Sequence, residues 1–260
     1  MRRMLIISDT HCGSKAGLTP PGHRSSKLSS RNRERSFAEQ QTIMWDWFDE
    51  EVGKLGKIDV LVVAGDMIDG PDTKTLGSQQ ITTDSIEQAY MACDIVKRIN
   101  ADKVEMLYGT NYHTGYSTDF EEIISREVGA EKIEAEGDYG FEGVNFNVRH
   151  YAPGSSTPYG KGTPLSKERV WQELKSQRYG VPSCDVLIRA HNHYYVAIEE
   201  YSGLCISLPC LQGYGTKYGS RVCSRDINIG FVHFDCENGD YKWKPTLLNM
   251  ELIAPQRKQL

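Results

Sequence analysis

The sequence lacks a long apolar run near its start, an excess of positive charge and any CxxC pair of cysteines. After Met-Arg-Arg, the first apolar run covers only residues 4–7, too short for a signal-peptide core or a membrane span. A net charge of -5 argues against a protein that coats nucleic acid through a basic surface. The odd number of cysteines, 7, fits neither a disulfide framework nor a zinc ribbon. We therefore expect a protein of a reducing, cytoplasmic compartment, with no membrane association.

The first half of the chain has the pattern of alternating strands and helices. Short apolar runs at residues 4–7 and 60–64 predict buried strands. Between them, residues 37–55 carry apolar side chains at helical spacing, which predicts an amphipathic crossover helix. A second helix is predicted over residues 85–100 and a third strand over 104–108. This half therefore indicates parallel strands joined by helices.

The second half has more strands and fewer helices. One clear helix is predicted, over residues 167–177, and we expect a second, more antiparallel sheet. The predicted strands lie within residues 139–151, 186–188, 195–200, 204–208 and 227–234. With 39% hydrophobic and 25% charged residues, the composition is that of a soluble globular protein, and we expect a single domain over residues 1–260.

Five polar motifs lie where predicted strands end. In chain order they are D-x-H at residues 9–11, G-D-x-x-D at 65–69, G-T-N-Y-H at 109–113, a lone histidine at 150 and H-x-H at 191–193. A carboxylate with an imidazole suits a divalent transition metal. Gly65 allows a sharp turn before Asp66, so that the Asp66 carboxylate can bridge two cations, whereas Asp69 is expected to steady the loop.

In order and spacing, these motifs resemble those of the calcineurin-like metallophosphoesterases, and the resemblance spans residues 9 to 193. Each motif is weak alone, but their order and strand-end placement together are specific. The resemblance implies an α/β fold of two mixed β-sheets in a sandwich flanked by helices, with the motif loops along one edge. It also implies a hydrolase with a dinuclear metal site.

The metal ligands implied by the resemblance are Asp9, His11, Asp66, His150, His191 and His193. Of these, Asp9, His11 and His193 would hold one ion, His150 and His191 would hold the other, and Asp66 would bridge both. A mixed shell of imidazole and carboxylate favours Mn²⁺, with Fe or Zn²⁺ as alternatives, over Mg²⁺.

The third motif departs from the Gly-Asn-His-Asp/Glu of the family, because Asn111 and Tyr112 lie between Thr110 and His113. We favour Asn111 as a ligand of the second ion and His113 as the general acid that protonates the leaving group. Two alternatives stay open: Thr110 takes the place of the family's Asn, or His113 is itself a ligand.

Among functions, hydrolysis of a phosphodiester in a nucleotide or nucleic acid leads. Hydrolysis of a phosphomonoester, including on a phosphoprotein, is the alternative. The family's protein phosphatases have Asp-Arg-Gly in the second motif, whereas here Asp69 is followed directly by Gly70. This difference weakens the hypothesis of a protein phosphatase. A third hypothesis is a catalytically silent metal-binding scaffold, although a site without catalysis has no need of six converging ligands.

Two groups of residues outside the motifs, one basic and one of tyrosines, can each be interpreted in two ways. Basic residues after the first motif are either a rim that attracts an anionic substrate or solvated loop charges. Tyrosines in the glycine-rich loops either stack a nucleobase or pack the loops. The basic residues are Lys15, His23, Arg24, Lys27, Arg31, Arg33 and Arg35, and the tyrosines are Tyr151, Tyr159, Tyr214 and Tyr218.

Overall fold

The computed structural model describes residues 1–24, 32–73, 75–115, 117–155, 157–214 and 227–250 of the chain. Its strands are β1 (Arg2–Ile7), β2 (Val60–Val63), β3 (Lys103–Leu107), β4 (Ile133–Glu134), β5 (Glu136–Phe141), β6 (Val144–Arg149), β7 (Val186–Arg189), β8 (Val196–Glu200), β9 (Gly203–Ser207), β10 (Ile229–Glu237) and β11 (Asp240–Leu248). Its α-helices are α1 (Asn32–Leu55), α2 (Ser85–Ile99), α3 (Asn111–Thr114), α4 (Phe120–Glu127) and α5 (Thr163–Tyr179).

The strands form two mixed sheets. The first has the order β11-β10-β1-β2-β3-β4, and its strands β1 to β4 are parallel to one another. Strand β10 pairs antiparallel with β1, and β11 pairs antiparallel with β10. In the second, of order β5-β6-β7-β9-β8, the central strands β6, β7 and β9 are parallel and both edge strands are antiparallel. The predicted α/β fold of two mixed sheets is therefore confirmed.

The alternation of side chains along the strands produces the layers. On β1, Met4 and Ile6 pack between the two sheets, whereas Leu5 and Ile7 pack with residues of α1 and α2 on the outer face. On the outer face of the second sheet, Leu165 of α5 packs against Leu187. The sheets thus form the centre of a sandwich with helices on both outer faces, which leaves the strand ends free to carry the polar motifs.

Three details of the sequence-based prediction differ from the structure. The strand predicted over residues 227–234 belongs to the first sheet, where β10 pairs with β1, and not to the second. The centre of the second sheet is parallel rather than antiparallel. Strand β11 and helix α4 were not predicted, because β11 is an edge strand of alternating partly exposed residues and α4 has only 8 residues.

Within the described ranges, no helix has the length and apolar composition needed to cross a membrane.

Candidate metal centre

The turns that follow the strands hold five of the predicted ligands in a left-handed backbone conformation. The φ angles are 53° for Asp9, 44° for His11, 53° for Asp66, 68° for His191 and 58° for His193. Such values are uncommon for residues other than glycine, and each costs on the order of 1–3 kcal/mol. The surrounding fold therefore holds these residues in a strained geometry, and strain of this kind clusters at functional sites.

The first group of ligand atoms, the first cluster, consists of Asp9, His11 and His193. The Nε2 atom of His193 lies 3.1 Å from Oδ1 of Asp9 and 3.3 Å from Nε2 of His11. Asp9 follows β1 of the first sheet, and His193 follows β7 of the second, so the cluster joins the two sheets at one edge. Asp9 and His11 are buried.

The second group, the second cluster, consists of Asp66, His150 and His191. The Nε2 atom of His150 lies 3.0 Å from Oδ2 of Asp66, and Nδ1 of His191 lies 4.0 Å from the same oxygen. The backbone N–H of His191 donates to Oδ2 of Asp9 across 3.2 Å. The two clusters are therefore directly adjacent.

Close backbone packing brings the loops of the second cluster together. A Cβ atom on Gly109 would lie 2.2 Å from Oδ1 of Asp66, and one on Gly65 would lie 2.6 Å from Cα of Gly109. Gly65 also has φ +82°, which favours glycine. Gly65 and Gly109 are thus required because a side chain at either position would separate the loops after β2 and β3.

The ring nitrogens of the histidines point to a cation between them. Nδ1 of His150 lies 2.6 Å from the carbonyl oxygen of Ala64, which only accepts, so Nδ1 carries a hydrogen and Nε2 is the nitrogen that faces the Asp66 carboxylate, with a proton or a cation between them. Nε2 of His150, Nδ1 of His191 and Nδ1 of His11 are buried and have no hydrogen-bond partner among the described residues. A histidine that donates one ring N–H to a backbone carbonyl and offers the other nitrogen is the usual arrangement of a metal ligand.

The charges of the clusters reinforce each other. Burial by itself raises the pKa of Asp9, but the imidazoles of His193 and His150 hold this pKa well below its usual range. For Asp66, His150 and His191 likewise overcome burial and lower the pKa. Burial lowers the pKa of His11, but the carboxylates of Asp69 and Asp9, at 3.6 and 3.8 Å from its ring nitrogens, raise it to about 9. Without a cation, protonated imidazoles thus balance the ionised carboxylates, and a bound cation would take the place of those protons.

Thr110 lies against Asp66. Its backbone N–H donates to Oδ1 of Asp66 across 2.6 Å, and its hydroxyl donates to the same oxygen across 3.1 Å. Asn111, the predicted ligand, is exposed and begins α3. The sequence predicts that Asn111 lies beside the Asp66 carboxylate. In the structure, Thr110 lies there instead.

His113 lies beside the first cluster. Its ring makes an edge contact with that of His11, with centroids 4.4 Å apart, and its Nδ1 donates to the carbonyl oxygen of Asp69 across 2.8 Å. His11, Asp69 and His113 form a third group of ligand atoms that could hold a metal ion. Burial, and then the charge of His11, lower the pKa of His113.

Glu121 supports the site and was not found from the sequence. Its carboxylate accepts the backbone N–H of Met67 across 2.9 Å and that of Gly109 across 2.7 Å. It therefore ties the loop after β2 to the loop after β3. Burial, and then the charge of Asp66, raise the pKa of Glu121 to about 8. No motif contains it, because it comes from the short helix α4.

The basic residues that the structure describes after the first motif have local partners. His23 pairs with Asp94 across 2.9 Å, and Arg24 pairs with Asp46 across 3.8 Å. Lys15 donates to the carbonyl oxygen of Ser78. Lys27 and Arg31, and the side chains of Arg33 and Arg35, lie outside the described residues, as does Tyr218. The substrate rim therefore stays a prediction.

No family model and no curated protein matches the sequence. Solved structures with similar folds include Vps29 from Entamoeba histolytica complexed with Zn²⁺, at 14% identity, 94% coverage of this chain and 98% of the other, and a TM-score of 0.45. A novel archaeal phosphodiesterase matches at 14% identity, with coverage of 94% and 99% and a TM-score of 0.48. A predicted phosphoesterase from Streptococcus pneumoniae TIGR4 matches at 10% identity, with coverage of 94% and 98% and a TM-score of 0.36.

Proposed function

We propose that the chain is a dinuclear metal-dependent phosphoesterase whose substrate is a phosphodiester of a nucleotide or nucleic acid. The observation that carries the proposal is the pair of adjacent clusters, in which buried imidazole nitrogens face buried carboxylates and have no hydrogen-bond partner within the described ranges. Imidazole with carboxylate favours Mn²⁺, with Fe or Zn²⁺ as alternatives. Residues 1–260 are proposed to form one metallophosphoesterase domain.

In this proposal Asp9, His11 and His193 would hold one cation, and His150 and His191 would hold the other. Asp66 would serve both cations: it belongs to the second cluster, and its charge also acts on His11 of the first. When bound, a pair of cations supplies a nucleophile at neutral pH and neutralises charge on the phosphoryl oxygens.

The chain's own residues then orient the site and move the proton. His113 is proposed as the acid for the leaving-group oxygen, because its Nδ1–H donates to the carbonyl oxygen of Asp69, and Nε2 is then the nitrogen that would carry the proton and give it to the leaving group. Thr110 holds one oxygen of Asp66, so that the other is directed toward His150. Asn111, next to Thr110, is proposed as a further oxygen ligand of the second ion, in line with the sequence-based prediction.

The test is hydrolysis of bis-p-nitrophenyl phosphate and of p-nitrophenyl phosphate with added Mn²⁺. Wild type, His193→Ala and His233→Ala are assayed side by side, with metal content measured on each sample. His233 is the matched control, because it lies on β10 opposite Leu5 of β1 and belongs to neither cluster. We expect the diester to be preferred, with its hydrolysis lost in His193→Ala and kept in His233→Ala.

The other outcomes separate the alternatives. Preference for the monoester would support a phosphomonoesterase. A protein that binds Mn²⁺ with wild-type stoichiometry but hydrolyses neither ester, nor any DNA or RNA, would contradict the enzyme and support the scaffold.

A further inference from the structure

A row of three aromatic rings leads from the second cluster toward the surface. The ring of His150 lies 5.3 Å from that of His191, and the ring of His191 lies 5.2 Å from that of Tyr151, centroid to centroid. His150 is buried, whereas Tyr151 is 55% exposed. Tyr151 therefore stands one ring beyond a proposed metal ligand, with much of its surface available for contact.

A cavity of about 430 Å³ lies between Tyr151 and the end of β3. Its volume is within the usual range for small-molecule sites. Gly109 forms part of its wall, and a Cβ atom on Gly109 would lie 2.2 Å from Oδ1 of Asp66, so the cavity lies next to the second cluster. The lining residues are Tyr108, Gly109, Asn111, Asp119, Ala135, Arg149 and Tyr151.

The cavity walls are held in place by hydrogen bonds. Nε of Arg149 donates to the carbonyl oxygen of Tyr151 across 3.0 Å, and the hydroxyl of Tyr108 donates to Oε1 of Glu122 across 3.0 Å. Arg149 also pairs with Glu168. The two tyrosines are therefore positioned by the fold at the sides of the cavity.

The chemistry of the lining selects against an anion and in favour of a flat polar ring. Among the lining residues the one cationic group is Arg149, whose charge is already matched by Glu168 and by Glu136, the latter at 4.0 Å. Aromatic faces bind every nucleobase by stacking. The carboxylate of Asp119 can accept a hydrogen bond from an N–H group at a base edge.

We infer that this cavity binds the nucleobase next to the scissile phosphate, with Tyr151 as the stacking surface. The inference rests on the proposed function, which places the phosphate at the two clusters, and it assigns the nucleoside to the side of His191. Tyr151 then determines the specificity for a nucleotide substrate. A base bound in the cavity also fixes which ester bond of the substrate faces His113, the proposed acid.

Binding of adenosine 5′-monophosphate and of ribose 5-phosphate to the Mn²⁺-loaded protein, measured by calorimetry, tests the inference. The two probes share phosphate and ribose and differ in the base. Stacking on an aromatic side chain is worth enough for a preference of about tenfold for the nucleotide. We expect this ratio of Kd values in wild type, a ratio close to one in Tyr151→Ala and a retained ratio in Tyr151→Phe. Tyr201→Ala is the control, because Tyr201 is fully exposed in the turn between β8 and β9 and is not among the lining residues.

Equal Kd values for the two probes in wild type, or an unchanged ratio in Tyr151→Ala, would overturn the inference. The proposed function is judged separately, by hydrolysis of methyl p-nitrophenyl phosphate, which carries no base. If wild type hydrolyses this ester but does not prefer the nucleotide, only the base-binding site is contradicted. If it prefers the nucleotide through Tyr151 but hydrolyses no ester, the base-binding site is supported and the proposed enzyme activity is contradicted.

Discussion

Replacing Asp66 by asparagine should separate metal binding from folding. The side-chain amide introduced by Asp66→Asn keeps one oxygen to accept the N–H of Thr110, which now lies 2.6 Å from Oδ1. Its N–H₂ group would face Nε2 of His150, which lies 3.0 Å from Oδ2 and has no hydrogen-bond partner in the described part of the chain. The new hydrogen bond is worth about 1 kcal/mol. Without metal, the variant also loses the attraction between the Asp66 carboxylate and His150, which, against the effect of burial, holds the pKa of Asp66 well below its usual range, so its Tm should lie somewhat below that of wild type. The effect of metal is therefore measured as the gain of each protein over its own chelated form.

With metal, the same variant should lose most of the stabilisation. A ligand present at 100 times its Kd stabilises the folded state by about 2.7 kcal/mol. For a domain of this size, each kcal/mol raises Tm by about 2–4 °C, so Mn²⁺ should raise the Tm of wild type by roughly 5–10 °C above the chelated protein. An amide is a weaker ligand than a carboxylate and carries no charge, so the gain in Asp66→Asn should be much smaller.

The assay is thermal unfolding with chelator and with Mn²⁺, together with elemental analysis. Asp69→Asn is the matched control: Asp69 accepts a hydrogen bond from Gln80 across 3.0 Å and is not proposed to bridge the ions. It should keep most of the gain in Tm. Wild-type metal content and an undiminished gain in Tm for Asp66→Asn would refute the assignment of Asp66.

Two further predictions concern His113 and Glu121. Replacing His113 by Ala should lower kcat by about 10²- to 10⁴-fold with unchanged metal content if His113 is the acid, whereas a fall in metal content by elemental analysis would show that it is a ligand. Glu121→Ala should leave the backbone N–H groups of Met67 and Gly109 without their acceptors and lower the free energy of unfolding by about 1–3 kcal/mol for each group in denaturant titrations. The control is Glu122→Ala, because Glu122 bonds the hydroxyl of Tyr108 and the side chain of Arg126 near the surface; equal stability of the Glu121 variant and wild type would contradict the role of Glu121.

Much of the fold and the two clusters could be predicted because they depend on local patterns. The apolar runs of β1 and β2 are long enough to identify strands, and residues directly after parallel strands meet at one sheet edge whatever the details of the loops. Asp9 and Asp66 could therefore be placed together from the sequence. The clusters that could bind metal contain both residues.

The rest depends on contacts between distant segments. Whether Thr110 or Asn111 faces Asp66 is decided by where β3 ends and by the turn into α3, which the residue types do not specify. Glu121 reaches the site only because α4 packs behind the loops after β2 and β3. The edge strand β11 has no apolar run, since its side chains alternate between exposed and partly exposed.

The central claim is that the two adjacent clusters hold two cations. A crystal structure of the protein grown with Mn²⁺, with data collected at the manganese absorption edge, tests it most directly. We expect two anomalous peaks about 3.5–4 Å apart, one beside Asp9, His11 and His193 and the other beside His150 and His191, with Asp66 between them. A map without a peak at either cluster, from protein shown to be folded and exposed to saturating Mn²⁺, would contradict the account.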